Sequence, residues 1–406
     1  MKKKIMVLLE CLISVCASAQ SPMIQSFQSL GFENLSEGKT ADYDWFALED
    51  RVNRNTYAGL GEAVRLIIDD HSVQRDVSII LLDNNLPQVK ASLSYKLIEE
   101  CRNGMISIQD VYRGMTITYD TDDYRDGGDK GRIYNRSSGR VDFVLYPQIE
   151  LANYRLDVLY EVIVNISPAI EMELWQGAKF TGQVIFPIYN NLSGESDYIR
   201  PGILAVTQQF RLYDNVWGAL SVGNFNSGRM GVDARLKYRT NNGRWGMEAQ
   251  AGMTGSSTFY GGKWQVSNWN KVNYFVTTSY YEPHYNLRLD LGLGQYIYGD
   301  RGVRFDCTRY FGDVSIGVFA MRAGGETNGG FHFAFPLPGK KRKRPSHFPV
   351  RFRLPEYFDW EYQAQASRKY IEGKNGRIYE IRPDENRSSR FYNPNYIKHC
   401  LIYFNN

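Results

Sequence analysis

From about Val141 to Leu337, apolar and polar residues take turns along the chain in run after run, with turn residues between the runs. Successive side chains of a strand point to opposite faces, so this alternation predicts strands with one apolar and one polar face. Val232, Ala234, Leu236 and Tyr238 interleave with Asp233, Arg235, Lys237 and Arg239. Tyr285, Leu287, Leu289, Leu291 and Leu293 interleave with Asn286, Arg288, Asp290, Gly292 and Gly294, and Trp245, Met247, Ala249, Ala251 and Met253 with Gly246, Glu248, Gln250 and Gly252. A soluble sandwich alternates in the same way. Length separates the two cases: several runs reach the roughly 9–11 residues that cross a bilayer at a tilt, whereas strands average about 5–6.

The predicted strands lie near 141–151, 154–166, 169–176, 178–188, 201–213, 215–224, 229–240, 244–254, 270–281, 285–297, 302–311, 314–323 and 330–337. Beyond Pro338, the stretches 357–371, 378–382 and 397–404 add one to three more. A single-chain bacterial barrel closes with an even number, so about 12 to 16 strands are expected. From residue 189 onward long and short connections alternate, as in an up-and-down barrel, but the count leaves the long 189–200 loop on the same side as the linker. Either an early strand is misassigned or the early hairpins belong elsewhere.

Ahead of the barrel, Ser21 to about Asp129 mixes helix and strand signals. Tyr57, Leu60, Ala63, Val64 and Ile67 have helical spacing behind a cap at Asn55 or Thr56. Strands at 76–82 and 89–93 flank the turn Asp83 to Pro87, a helix covers Tyr95 to Arg102, and a strand lies near Ile106 to Val111. This is a small α/β domain, expected in the periplasm, with Gly127-Gly128-Asp129 as linker. The divisions are thus 1–19, 20–130, 131–337 and 338–406.

Lys2, Lys3 and Lys4 followed by an apolar core over Ile5 to Val15 and by Ala17-Ser18-Ala19 have the layout of an export signal, cleaved between Ala19 and Gln20. The competing reading, a lipid anchor on Cys16, places Val15 where a small residue belongs. No later run of about 18 uncharged apolar residues occurs, so any membrane span has to be a closed barrel. The mean hydropathy of −0.42 fits a wet lumen, and 29 Tyr and 21 Phe suit interfacial girdles, although any β-rich domain favours aromatics. Cys101, Cys307 and Cys400, the cysteines behind the signal, form no disulfide framework, and the formal charge of +4 implies no acidic partner.

Near the end of the strand region, Gly294-x-Tyr296-x-x-x-Asp300-x-Gly302 is followed by Arg309-x-Phe311, Gly317-x-Phe319-Ala320, and Gly330-Phe331 with Pro336-Leu337. This order resembles the YjbH family of exopolysaccharide-associated outer-membrane proteins. The likeness continues more loosely through Arg200, Trp245 to Gly255, and Leu86-Pro87. It implies a part in making or exporting exopolysaccharide or capsule. This chain is more compact than the long members of the family, and its extension after Leu337 has no counterpart in the resemblance. The motif residues also have plain structural readings. Gly299, Asp300 and Gly302 make a turn, and Gly317 and Gly330 relieve crowding on strands. Arg309 shares its parity with Val303 and Phe305, so it is lumenal only if a bulge shifts the register and interfacial otherwise.

Neither a zinc motif, a nucleophile elbow nor a phosphate loop is present, and the chain is read as non-catalytic and free of metal and cofactor. His284 or His332 beside a serine is the arrangement that would make it an enzyme. Arg235, Lys237, Arg288, Asp290, Arg304 and Asp306 are expected to line the lumen and contact glycan. Lys340 to Arg344 is read as a solvated loop, or else as a grip on anionic headgroups or acidic polysaccharide. The expected partners are outer-membrane lipid, exopolysaccharide and other envelope export proteins, with no nucleic acid. A general diffusion channel and a structural partner of an export complex are the alternatives.

Overall fold

A computed structural model describes residues 20–122, 124, 132–152, 161–191, 197–345, 349–363, 375–383 and 391–404. The export signal and the 127–129 linker lie outside these residues.

The N-terminal part contains helices α1 (Pro22–Leu30), α2 (Thr56–Asp69), α3 (Tyr95–Arg102) and α4 (Ile108–Gly114). Its strands β1 (Glu33–Lys39), β2 (Tyr43–Glu49), β3 (Asp76–Asp83), β4 (Leu86–Leu93) and β5 (Thr116–Thr118) form one sheet in sequential order, with β2 and β3 parallel. The turn between β3 and β4 is only Asn84-Asn85, both at positive φ, the tight hairpin geometry that asparagine tolerates. The predicted strand near 106–111 is instead α4. Ser107 and Asp110 form a reciprocal capping box there, a local signal that outweighs the β-branched residues. Helix α1 and strands β1 and β2 went unread, because the first fifty residues show no clean period.

The second sheet has 15 strands. Its wall follows chain order through β6 (Val141–Ala152), β7 (Glu161–Glu173), β8 (Ala178–Asn190), β9 (Arg200–Tyr213), β10 (Val216–Phe225), β11 (Arg229–Arg239) and β12 (Trp245–Tyr260). It continues through β14 (Lys271–Glu282), β15 (Leu287–Gln295), β16 (Arg301–Phe311), β17 (Val314–Ala323), β18 (Glu326–Pro336) and β20 (Tyr357–Gln363), each antiparallel to the one before. The side arm β13 (Lys263–Val266) pairs only with β12. The short β19 (Val350–Arg353) runs parallel to the start of β6. Strands β19 and β20 are two halves of one extended run broken at Leu354-Pro355-Glu356. The first half bonds to β6 and the second to β18. Farther up the seam no ladder is formed, and the Trp360 indole N–H donates to the Ile149 carbonyl at 3.1 Å.

Taking off the side arm and counting β19 and β20 as one run leaves thirteen positions around the wall. Thirteen falls within the expected 12 to 16, and the ladder does not run unbroken around the wall: β19 pairs with β6 over four residues, and β20 pairs with β18. The predicted strands at 154–166 and 169–176 are one strand, β7, with Pro168 paired to Leu145 inside it. That misassignment is what put the long 189–200 loop on the wrong side. The rim next to the N-terminal part carries the short turns 174–177, 214–215, 240–244, 283–286 and 312–313 along with the long 337–349 connection, and the far rim carries the long 191–199 and 261–270 connections along with short turns at 226–228, 296–300 and 324–325.

Leu220, Leu293 and Val318 are 55–58% exposed on the outer face, whereas Asp233 and Asp306 on the inner face are 2% and 5% exposed. Trp175, Tyr213, Trp245, Tyr285 and Phe311 ring the domain-side rim, and Tyr189, Tyr198 and Tyr260 stand exposed at the far one. An apolar outer band between aromatic girdles around a polar interior is the make-up of a membrane-spanning β-barrel. Arg309 points outward with no register shift in β16, its guanidinium 4.9 Å from the Phe311 ring, so it is interfacial.

The two sheets share one junction. Arg51 pairs with Glu49 at 2.7 Å and with Glu173 of β7. Burial works against this cation, and Glu49, Glu173 and Glu33 outweigh it, holding its pKa well above the ordinary value. Arg344 bonds Glu33 at 3.0 Å and Asp142 of β6 at 2.6 Å. Asp142 also takes Arg351, and Arg353 pairs with Glu171 at 3.2 Å. The basic run is divided: Lys340, Lys341 and Lys343 are exposed, as a solvated loop would have them, and its two arginines are not. Arg342 and Arg344 are buried, Lys341 reaches Glu62 at 2.5 Å, and Lys343 bonds the Ser29 carbonyl.

The residues after β20 also depart from expectation. Residues 378–382 are not a strand of the wall, and 397–404 belong to helix α5 (Pro394–Phe404). Tyr396, Ile397, Cys400 and Leu401 of α5 join the core made by α1 to α4, β1 to β5 and the rim residues Tyr281 and Tyr310.

Removing one partner from a buried ionic cluster leaves an uncompensated charge, so Asp142→Ala should cost about 3–5 kcal/mol, read as a lowered unfolding midpoint in detergent. Burial pushes the Cys400 thiol up to about 12. In a variant retaining only that cysteine, maleimide at pH 8 should label it after unfolding and not before.

Candidate functional site

The lumen is the concave polar surface of the barrel, and the six residues expected to line it all face inward. Arg235 donates to Asp233 at 2.9 Å, and Lys237 follows on the same face of β11. Arg288 bonds Asp290 at 3.0 Å and sits over the Phe391 ring. Arg304 pairs with Asp306 at 3.1 Å and Glu361 at 2.7 Å, with its guanidinium 3.9 Å from the Phe319 ring centre. These are charge pairs within the wall. His332 Nε2 lies 3.0 Å from Asp306 Oδ1 and 3.4 Å from Thr308 Oγ1. A methyl group on Gly317 would stand 2.1 Å from that same nitrogen, so the glycine provides the slot for the imidazole.

Residues 375–383, of which 378–382 were among the stretches expected to add strands to the wall, lie against its inner face at the far rim. Asn375 donates to the Ala323 carbonyl at 3.1 Å and accepts from Asn328 at 3.1 Å. The Gly376 N–H donates to Asp300 Oδ2 at 2.7 Å, and the Ile297 N–H to the Arg377 carbonyl. Arg377 Nε donates to Ser227 Oγ at 3.2 Å. Asn226 bonds Glu380 three ways: its main-chain N–H to the Glu380 carbonyl, its amide to the Glu380 carboxylate at 2.8 Å, and its oxygen from the Glu380 N–H at 2.6 Å. Tyr379 stacks on Phe225, with centroids 4.9 Å apart and planes 18° apart, and donates to Asp233 at 2.7 Å. Ile203, Ala205, Ile297 and Ile381 complete the apolar cluster around it. Gly252 makes room for the phenol, since a Cβ there would stand 1.8 Å from its oxygen.

At the other rim Phe391 stacks on Tyr310, Arg211 donates to the Pro87 and Gln88 carbonyls at 3.2 and 3.1 Å, and Arg54 pairs with Asp313 at 2.9 Å. The N-terminal part closes this mouth.

Among the family-motif residues, Asp300 has a task the sequence did not show, because it holds the segment at Gly376. Its neighbour Gly299 turns at φ +81°, and Gly302 faces the β17 backbone with a Cβ position 2.1 Å from the Arg322 carbonyl. Gly330 abuts the Tyr362 carbonyl, and the Leu337 carbonyl accepts from Arg54 at 2.6 Å beside Pro336, which pairs with Tyr357. Phe225, Asn226, Asp233 and Tyr379 were not singled out. Their only signal is that 378–382 is too short to span.

Residues 202–329 match the YjbH family. Its description is exopolysaccharide biosynthesis protein YbjH, and the match runs from β9 into β18. It takes in most of the motif residues read above, along with Phe225, Asp233, Gly252 and Asp300, and stops short of 375–383. No curated protein matches the chain. Among solved structures, the chain is similar to OmpT of Vibrio cholerae with loop L8 deleted, at 10% identity and a TM-score of 0.27, over 48% of this chain and 86% of that one. It is also similar to OccK2 (OpdF) of Pseudomonas aeruginosa, at 14% identity and a TM-score of 0.26, over 48% and 58% of the two chains. At these values nothing is transferred from either.

Gly317→Ala forces the His332 ring out of its slot and should cost about 1–3 kcal/mol, as overpacking does; the unfolding midpoint in detergent, compared with that of Gly218→Ala, where a Cβ meets nothing nearer than 3.5 Å, measures it.

Proposed function

We propose that the chain is a non-catalytic outer-membrane β-barrel that takes part in exopolysaccharide or capsule production, with its N-terminal α/β part on the periplasmic side. The observation that carries this reading is the YjbH match, which falls on the wall of a barrel with an apolar outer band and a polar interior. The long 191–199 and 261–270 connections lie at the rim away from the N-terminal part, which supports its periplasmic placement, since such barrels keep their longer loops on the outer side. His332 sits between Asp306 and Thr308, and no serine is bonded to it among the described residues. That supports a structural role for the one histidine buried in the wall.

One observation favours a structural or assembly role within an export system over free diffusion. Residues 375–383 lie against the inner wall at the far rim, and the N-terminal part packs on the near one, which supports a narrowed path through the barrel.

Deleting the protein from its host should change the amount or length of surface polysaccharide, and the purified barrel should show no porin-like conductance in planar bilayers. Unaltered polysaccharide in the deletion strain would remove the reading.

A further inference from the structure

We propose that residues 375–383 mask a glycan-binding subsite at the far mouth and that Tyr379 occupies the place of a sugar ring. The proposal rests on the exopolysaccharide reading and deepens it. Phe225 would offer a flat apolar face, which Tyr379 now covers at 4.9 Å. Asp233 stands at the Tyr379 hydroxyl itself, and along the rest of the segment lie the Asp300 carboxylate at Gly376, the amides of Asn226 at Glu380 and Asn328 at Asn375, and the hydroxyl of Ser227 at Arg377. An aromatic platform ringed by carboxylates and amides is the chemistry that holds sugars: C–H bonds lie on the ring face, while hydroxyls donate to charged oxygens and accept from amides. The Tyr379 hydroxyl already makes the bond to Asp233 that a sugar hydroxyl would make. The second oxygen of Asp300 is buried and has no partner among the described residues, so one acceptor is left over for a ligand.

The segment can leave without unpairing the wall. It adds no strand, and the ladders from β6 to β18 and from β18 to β20 form without it. Among its bonds to the wall, two join backbone to backbone, Ile297 N–H to Arg377 and Asn226 N–H to Glu380, and those at Asp300, Ser227, Asp233 and Asn328 run through side chains. A ligand that binds only the uncovered state shifts the population toward that state by its affinity for it. The ligand class is a hydroxyl-rich oligosaccharide; the two carboxylates select against acidic sugars at this point of the path.

The test uses the full-length barrel in detergent and, as probe, oligosaccharides of about six sugars cut from the host's own exopolysaccharide. Three forms are compared: the unaltered protein, Gly252→Ala, which pushes the phenol off its seat, and a variant with 375–383 replaced by a Gly-Ser segment of equal length. Protection of Cys400 from maleimide shows that each form is folded with α5 in place. Both altered forms should bind the probe about tenfold or more tightly than the unaltered protein, a difference of about 1.4 kcal/mol. Adding Phe225→Ala or Asp233→Asn to either should abolish the gain. A Ser227→Cys, Ile378→Cys disulfide should prevent binding until it is reduced. Equal affinity in all three forms, or a gain indifferent to Phe225 and Asp233, would overturn the masked subsite. If the deletion strain has altered polysaccharide and the altered barrels still fail to bind, the subsite alone falls; if they bind and the deletion strain is normal, the exopolysaccharide reading falls instead.

Discussion

The structure depends on a buried ionic cluster at one rim of the barrel. Asp142 begins the first wall strand, Arg344, Arg351 and Arg353 come from the run that closes the wall, and Glu33, Glu49 and Arg51 come from the N-terminal sheet. Taking so many charges out of water is costly unless each finds partners in good geometry. The three parts of the chain can satisfy one another only in one relative placement. The cluster therefore fixes where the first strand meets the last and how the α/β part sits over the mouth. An apolar junction of the same size would hold the parts together without specifying the seam, whose upper half has no ladder of its own.

With the seam and the near mouth set, the C-terminal residues follow. They leave the top of β20, lie against the inner wall from Asn375 to Pro383, and end as a helix beneath the opposite rim. The wall is shaped to receive them at Gly252, Phe225 and Asp300. The charge pairs lower in the lumen show the same economy. Arg235 with Asp233, Arg288 with Asp290 and Arg304 with Asp306 each neutralise on their own strand, one step of the inward face apart. Such pairing keeps the interior polar without a large field of one sign.

Period-two patterning was enough to read the barrel, because one face of every wall strand meets lipid and the other a wet interior. Val232 to Arg239 and Leu287 to Leu293 announce their orientation unaided. The six residues expected in the lumen share the parity of that polar face, and their pairing with one another depends on register and was not visible. Where patterning failed, the cause was tertiary. Pro168 looks like a strand breaker but sits inside β7, and Ile378 to Arg382 alternates like a strand while bonding through side chains to the inner wall. Ile397 to Phe404 is apolar enough for either state and became a helix because a core was waiting for it. Lys340 to Arg344 read as solvated because its partners Glu33, Glu62 and Asp142 lie about two hundred or more positions away in the sequence.

Helix α5 supplies Tyr396, Ile397, Cys400 and Leu401 to a core otherwise built from residues up to Tyr119 and two tyrosines at the rim. The N-terminal core therefore cannot be sealed by its own segment. Its apolar surface stays bare until the wall has formed between the two and α5 has come back across the rim. A product in which α5 fails to dock would present an unsealed hydrophobic interior for quality-control proteases to find.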